Sequence, residues 1–228
     1  MKQGEFTEYF NDGKTVKHIS NYHQGNKHGM QKSFYTDGGL EKEKEYDNGV
    51  EHGIERGYEY KTGLLLKEHN YVNGKQHGPQ MCYMNSNVGN FIERSHYDNG
   101  ILHGAFSQVF VNGDVLRRKG MYVHGKKDGL WIENNKEGRT LNEIIYSDHE
   151  TRREVKVFFN NGKSVESIDN YVDDKKHGLS RIFYFSTGNL KTEYTYVSNK
   201  RHGEYRHYNE DGSLREEGLY ENDSIVRK

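Results

Sequence analysis

Proline is almost absent from this chain, with one in 228 residues, and cysteine and tryptophan also occur once each. A single cysteine closes no internal disulfide, so no disulfide scaffold supports the fold. Long apolar runs are missing as well. Hydrophobic residues make up 32% of the chain, and no stretch approaches the roughly 18–20 apolar residues of a membrane helix. The start, Met1-Lys2-Gln3-Gly4, leads into no apolar segment. We therefore expect no signal peptide and a cytoplasmic location, with a trimmed exported form as the alternative. Charge of one sign is lacking too. Lys and Arg total 33 against 34 Asp and Glu, a net of −1, which disfavours a general nucleic-acid binder.

What the chain does have is 26 glycines and 18 tyrosines, and they are periodic. Tyr22, Tyr46, Tyr71, Tyr97, Tyr122, Tyr146, Tyr171, Tyr196 and Tyr220 recur at steps of 24 to 26 residues. Seven residues after most of them stands a glycine, at Gly29, Gly53, Gly78, Gly104, Gly129, Gly178 and Gly203, usually preceded by His. Three residues after the early tyrosines comes Gly25, Gly49, Gly74, Gly100 or Gly125. A mid-repeat glycine recurs from Gly13 to Gly212. Such a period marks a repeat architecture, in which each unit is one supersecondary element.

Each copy reads as a β-hairpin. One strand runs from His-Gly to the mid-repeat turn, as in Gly178 to Phe185, and the next runs to the repeat tyrosine. Asp37-Gly38 and Asn48-Gly49 are hairpin-turn signals, because glycine and asparagine reach positive φ at low cost. No stretch keeps a 3.6-residue apolar period, so almost no helix is expected. The predicted fold is all-β: an elongated, single-layer or solenoid-like antiparallel sheet of about nine hairpins, one array over residues 1–228. Its tyrosines are expected to stack copy on copy as a ladder that replaces an aliphatic core. The repeat histidines are expected to cap turns beside that ladder.

The pattern Tyr-x-x-Gly-x-x-His-Gly, followed by aromatics and then Asp/Asn-Gly-x-Leu, resembles the MORN repeat, and Tyr71-Val-Asn-Gly-Lys-Gln-His-Gly78 and Tyr22-His-Gln-Gly-Asn-Lys-His-Gly29 are its closest copies. The pattern is most similar to the bacterial MORN variant of the YwqK-family antitoxins. The resemblance implies a protein-binding antitoxin or immunity module with a cognate toxin as partner. A membrane-surface or scaffolding role is the other implication. The link Tyr146 to Arg153 departs from the pattern by lacking both glycines.

No chemistry is legible. Successive repeat histidines lie about 10 Å apart by strand spacing, too far to share an ion at about 2 Å, so no metal or cofactor is expected. Cys82 has no His close to it in sequence and is read as a packing residue. No nucleophile, base and orienter converge, so no enzyme is expected. The side chains assigned to partner binding are those outside the repeat pattern near the degenerate link: Trp131, His149, Arg152 and Arg153, together with Arg117 and Arg118 of a basic sector. Monomer or weak self-association is expected.

Overall fold

The computed structural model describes residues 1–87 and 89–226, and no helix occurs among them. The chain divides into two compact units, Met1–Asn112 and Gly113–Lys228. In each, long strands successive in the chain pair antiparallel, giving an open meander of hairpins. The all-β hairpin array expected from the period is the architecture of both units.

Two kinds of turn join the strands. After each early repeat tyrosine sits a two-residue turn in which both residues have positive φ, as at Asn48 (47°) and Gly49 (90°). That is the hairpin turn whose twist matches the flanking strands. Three later copies keep it without glycine: Asp173-Asp174, Ser198-Asn199 and Asn222-Asp223 all hold φ between 47° and 70°. Left-handed backbone costs a non-glycine residue roughly 1 kcal/mol. Here, reciprocal bonds to the previous copy offset that cost. Asn199 N–H donates to the Lys176 carbonyl at 2.9 Å, and Lys176 N–H donates to Asn199 Oδ1 at 2.7 Å. Arg201 and Asp223 repeat the exchange.

The His-Gly glycine lies within a strand and not in a turn. The strand Val50–Tyr58 begins directly after Asn48-Gly49 and runs through His52-Gly53. Lys44 pairs with Glu55 and Tyr46 with Glu51, so one residue, Glu45, opposes three. Gly53 is therefore the positive-φ residue (78°) of a β-bulge. A bulge leaves the opposing backbone groups without ladder partners, and buried backbone polar groups need partners. The repeat supplies them. In copies with this sequence, the His N–H donates to the carbonyl opposite: His28 to Asn21, His77 to Asn70 and His103 to His96, at 2.9–3.0 Å. Two residues after the glycine, the Gln31 and Gln80 amides bond both N–H and C=O of Asn21 and Asn70. Trp131, in the same slot, donates from Nε1 to the Met121 carbonyl at 3.2 Å.

That slot, two residues after the bulge glycine, is the interior of the sheet. Glu55, Gln80, Phe106, Trp131, Ser180 and Tyr205 occupy it and are 1–6% exposed. Side chains alternate between faces along a strand, so the slot shares a face with the repeat tyrosines.

The tyrosine ladder differs from the expected one. In three copies a cation stands between one repeat tyrosine and the next. Lys27 lies over Tyr46 (5.3 Å), Lys176 over Tyr196 (5.5 Å) and Arg201 over Tyr220 (4.3 Å). Each of these cations sits two residues before a bulge glycine and pairs in register with the preceding tyrosine. Such contacts contribute roughly 0.5–1 kcal/mol each where partly exposed.

The opposite face carries charge in rungs. Arg56 joins Glu43 (3.2 Å) and Glu68 (2.7 Å), and Arg206 joins Glu193 (3.6 Å) and Glu217 (3.4 Å). The alternation Glu41-Lys-Glu-Lys-Glu45 thus divides between faces, with Glu43 in a rung and Lys42 and Lys44 on the tyrosine side.

Candidate functional site

The densest cluster of titratable groups lies on the tyrosine face of the first unit. Glu55, 2% exposed, receives Lys42 Nζ at 2.7 Å, Lys67 Nζ at 2.9 Å and Lys44 Nζ at 3.5 Å. The Tyr71 hydroxyl donates to it at 3.0 Å. Burial pushes the Glu55 carboxyl up, but the Lys42 and Lys67 bonds and the Lys44 and Lys67 charges outweigh it, and it falls to about 2. Burial and the Glu55 charge push Tyr71 up to about 12. At neutral pH Glu55 is thereby held ionised and Tyr71 protonated.

Next to it, His69 Nε2 stands 3.0 Å from Cys82 Sγ, across adjacent strands. This corrects the reading of Cys82 as lacking a histidine neighbour. The pair is not an activated thiolate. Burial raises the Cys82 thiol and lowers His69, so each group favours its neutral form.

The degenerate link has a clear structural meaning. Elsewhere the repeat tyrosine pairs with the residue five positions on, as Tyr171 does with Lys176. Tyr146 instead pairs with Arg153, seven positions on, with no register shift. Loss of the glycine removes the bulge, and its two extra residues move into the loop. Asp148, His149 and Glu150 all have positive φ there (49°, 56° and 69°). Thr151 closes the loop by donating from N–H (3.2 Å) and Oγ1 (2.7 Å) to the Asp148 carbonyl.

The six side chains assigned to partner binding do not share one surface. Trp131 is 1% exposed, with Tyr122 and Tyr146 edge-on at 5.0 and 6.4 Å. It is an interior residue and presents no surface to a partner, contrary to expectation. Arg153 stacks on Tyr171 at 4.5 Å and pairs with Asp174, filling the cation position between tyrosines. Arg117 and Arg118 are consecutive in the strand Val115–Val123, so they point to opposite faces. Arg118 lies 3.9 Å from Glu133, and the basic sector does not converge. Only His149 and Arg152 are exposed at the irregular loop, Arg152 with Asp148 at 3.0 Å. The repeat histidines meet the expectation in part: His77 Nδ1 accepts from the turn N–H of Asn99 at 3.5 Å, but His28 and His77 are exposed on the rim beside Asp47 (3.3 Å) and Asp98 (3.4 Å), not packed against tyrosine rings.

Sequence reasoning missed the apolar face beside that loop. Met121, Leu130, Ile145 and Leu179 are 50, 50, 47 and 38% exposed on the face opposite the tyrosines. Leu130 and Ile145 are direct cross-strand partners. Ile145, Val172 and Leu179 line a groove of about 460 Å³, with Arg152, Arg153, Glu154, Tyr171 and His177 as its charged or titratable lining. The available signal was position: these residues sit next to the repeat tyrosine or the bulge glycine, where other copies carry Asn21, Asn70 or Glu204.

A family model described as a MORN repeat variant matches residues 27–48 and 201–222. Each match runs from the ladder cation, Lys27 or Arg201, to the first residue of a two-residue turn, Asn48 or Asn222. The chain thus carries two segments of a repeat type found in protein- and membrane-interaction modules. No curated protein matches the chain.

Proposed function

We propose that the chain is a non-catalytic, cytoplasmic protein-binding module that acts as an antitoxin or immunity protein and sequesters a cognate toxin. The observation that carries this reading is the half-exposed pair Leu130 and Ile145, with Met121 near it and Leu179 across the groove, beside the irregular loop at residues 148–151. Exposed contiguous apolar side chains rimmed by charge mark association surfaces. Ten strands at about 4.8 Å spacing and roughly 25 Å length give the second unit a face on the order of 1,000 Å², enough for the ~800 Å² per partner of a standard interface. Arg152, Glu154 and His177 supply the charged rim that orients such a contact.

The test is co-expression with the product of the adjacent gene. The proposal expects that product to arrest growth alone, to be neutralised by this chain and to co-purify with it. The double variant Leu130→Glu/Ile145→Glu is expected to fold but lose both effects. Neutralisation without any stable complex, or an adjacent product that is harmless and not captured, contradicts the proposal.

A further inference from the structure

At the mid-repeat loop end of the first unit, four aromatic side chains from three successive hairpins gather around one hollow. Phe10, Phe34, Tyr35 and Tyr60 line it together with Thr36 and Glu41, as a shallow depression of about 510 Å³ wide open to solvent. Tyr35 and Tyr60 meet at 4.9 Å with their planes 63° apart, so they form a corner rather than a stack. Tyr60 is 43% exposed, and its ring is therefore open to a ligand.

The walls are fixed in advance. The Tyr35 hydroxyl donates to the Tyr58 carbonyl at 2.8 Å, which sets that ring. The loops carrying the rings are closed by backbone bonds from Phe10 to Thr15 (2.8 Å), Tyr35 to Gly39 (2.8 Å) and Glu59 to Leu64 (2.8 Å). The lining contains one charge, the Glu41 carboxylate, and no basic group. Lys61, outside the hollow, already holds its ammonium 5.5 Å from the Tyr60 centroid, so a cation is the kind of group this ring takes.

Angled aromatic faces attract a cation through their quadrupoles, most strongly one with little hydration to lose. Aromatic lining favours burial of methyl groups, and the Glu41 carboxylate in the lining fixes the sign of the charge. We propose that Phe10, Phe34, Tyr35, Tyr60 and Glu41 form a binding site for a quaternary ammonium group of the choline type. The group is either free in solution or displayed as a lipid headgroup.

The experiment titrates the full chain with choline and, separately, with its neutral isostere 3,3-dimethylbutan-1-ol, read by calorimetry and by tyrosine fluorescence. Choline is expected to bind saturably and the isostere about tenfold more weakly, the loss of contacts to two rings. Tyr60→Ala and Glu41→Gln are each expected to weaken choline binding about fivefold or more, with the circular dichroism spectrum unchanged. A vesicle arm separates the sources. Flotation with phosphatidylcholine but not phosphatidylglycerol vesicles, lost in Tyr60→Ala, assigns the site to the headgroup. Binding of free choline with no flotation assigns it to a soluble ligand. Equal binding of choline and isostere, no saturable binding of choline, or an unchanged affinity in both variants overturns the proposal. Glu41→Gln keeps the test valid if Tyr60→Ala fails to fold.

Discussion

Replacing Glu55 with Gln keeps the side chain's shape and removes the charge that gathers Lys42, Lys44 and Lys67. The native carboxyl falls to about 2 from the ordinary 4.5. At about 1.4 kcal/mol per unit, that difference corresponds to roughly 3 kcal/mol of folding stability at neutral pH. The sign follows from linkage. A carboxylate with a depressed folded pKa contributes fully above the unfolded value and loses its contribution as pH falls through the folded one. The Glu55 contribution is therefore complete above pH 5 and falls to roughly 1–1.5 kcal/mol at pH 3. Urea unfolding of both proteins, followed by far-ultraviolet circular dichroism, measures it. The variant is expected to be about 3 kcal/mol less stable at pH 7, with the gap at least halved at pH 3. A gap equal at both pH values refutes the electrostatic account and assigns the effect to packing. A gap under about 0.5 kcal/mol at pH 7 refutes the cluster's importance altogether.

Two other predictions follow from interior geometry. A Cβ on Gly120 would sit 2.2 Å from the Trp131 ring, so Gly120→Ala is expected to cost about 1–3 kcal/mol by overpacking and to red-shift Trp131 emission. An unchanged melting temperature and spectrum contradict it. Cys82, raised by burial, is expected to react slowly with a thiol reagent at pH 7.5 in the native protein, and at the rate of a free thiol in urea. Equal rates contradict the neutral His69–Cys82 pair.

The period, the hairpins and the turns were legible because glycine and asparagine announce positive φ residue by residue. Aspartate and serine do not, so Asp173-Asp174 and Ser198-Asn199 were recognisable only from their phase. The interior slot was hidden for a different reason. Four of its occupants are polar: Gln31 and Gln80 bond the backbone opposite the bulge, Glu55 takes Lys42, Lys67 and Tyr71, and Ser180 donates to Asp169. A search for hydrophobic periodicity passes over such a position. Trp131 departs from the repeat pattern and so reads as surface, yet it is the bulkiest occupant of the same interior slot. The Cys82–His69 contact joins residues thirteen apart, and only the register brings them together. The bulge also explains why His-Gly reads like a turn, since both need one residue at positive φ.

One measurement separates the two faces most directly. Ile144 and Ile145 are neighbours in the strand Thr140–Ser147. Ile144 pairs with Trp131 on the tyrosine face, and Ile145 is 47% exposed on the other. Urea unfolding of Ile144→Ser and Ile145→Ser compares them one residue apart. A loss of about 2 kcal/mol or more for Ile144→Ser and within about 0.5 kcal/mol for Ile145→Ser is the predicted result. Equal losses, or the larger loss at Ile145, contradict a sheet with one structural face and one face left for recognition.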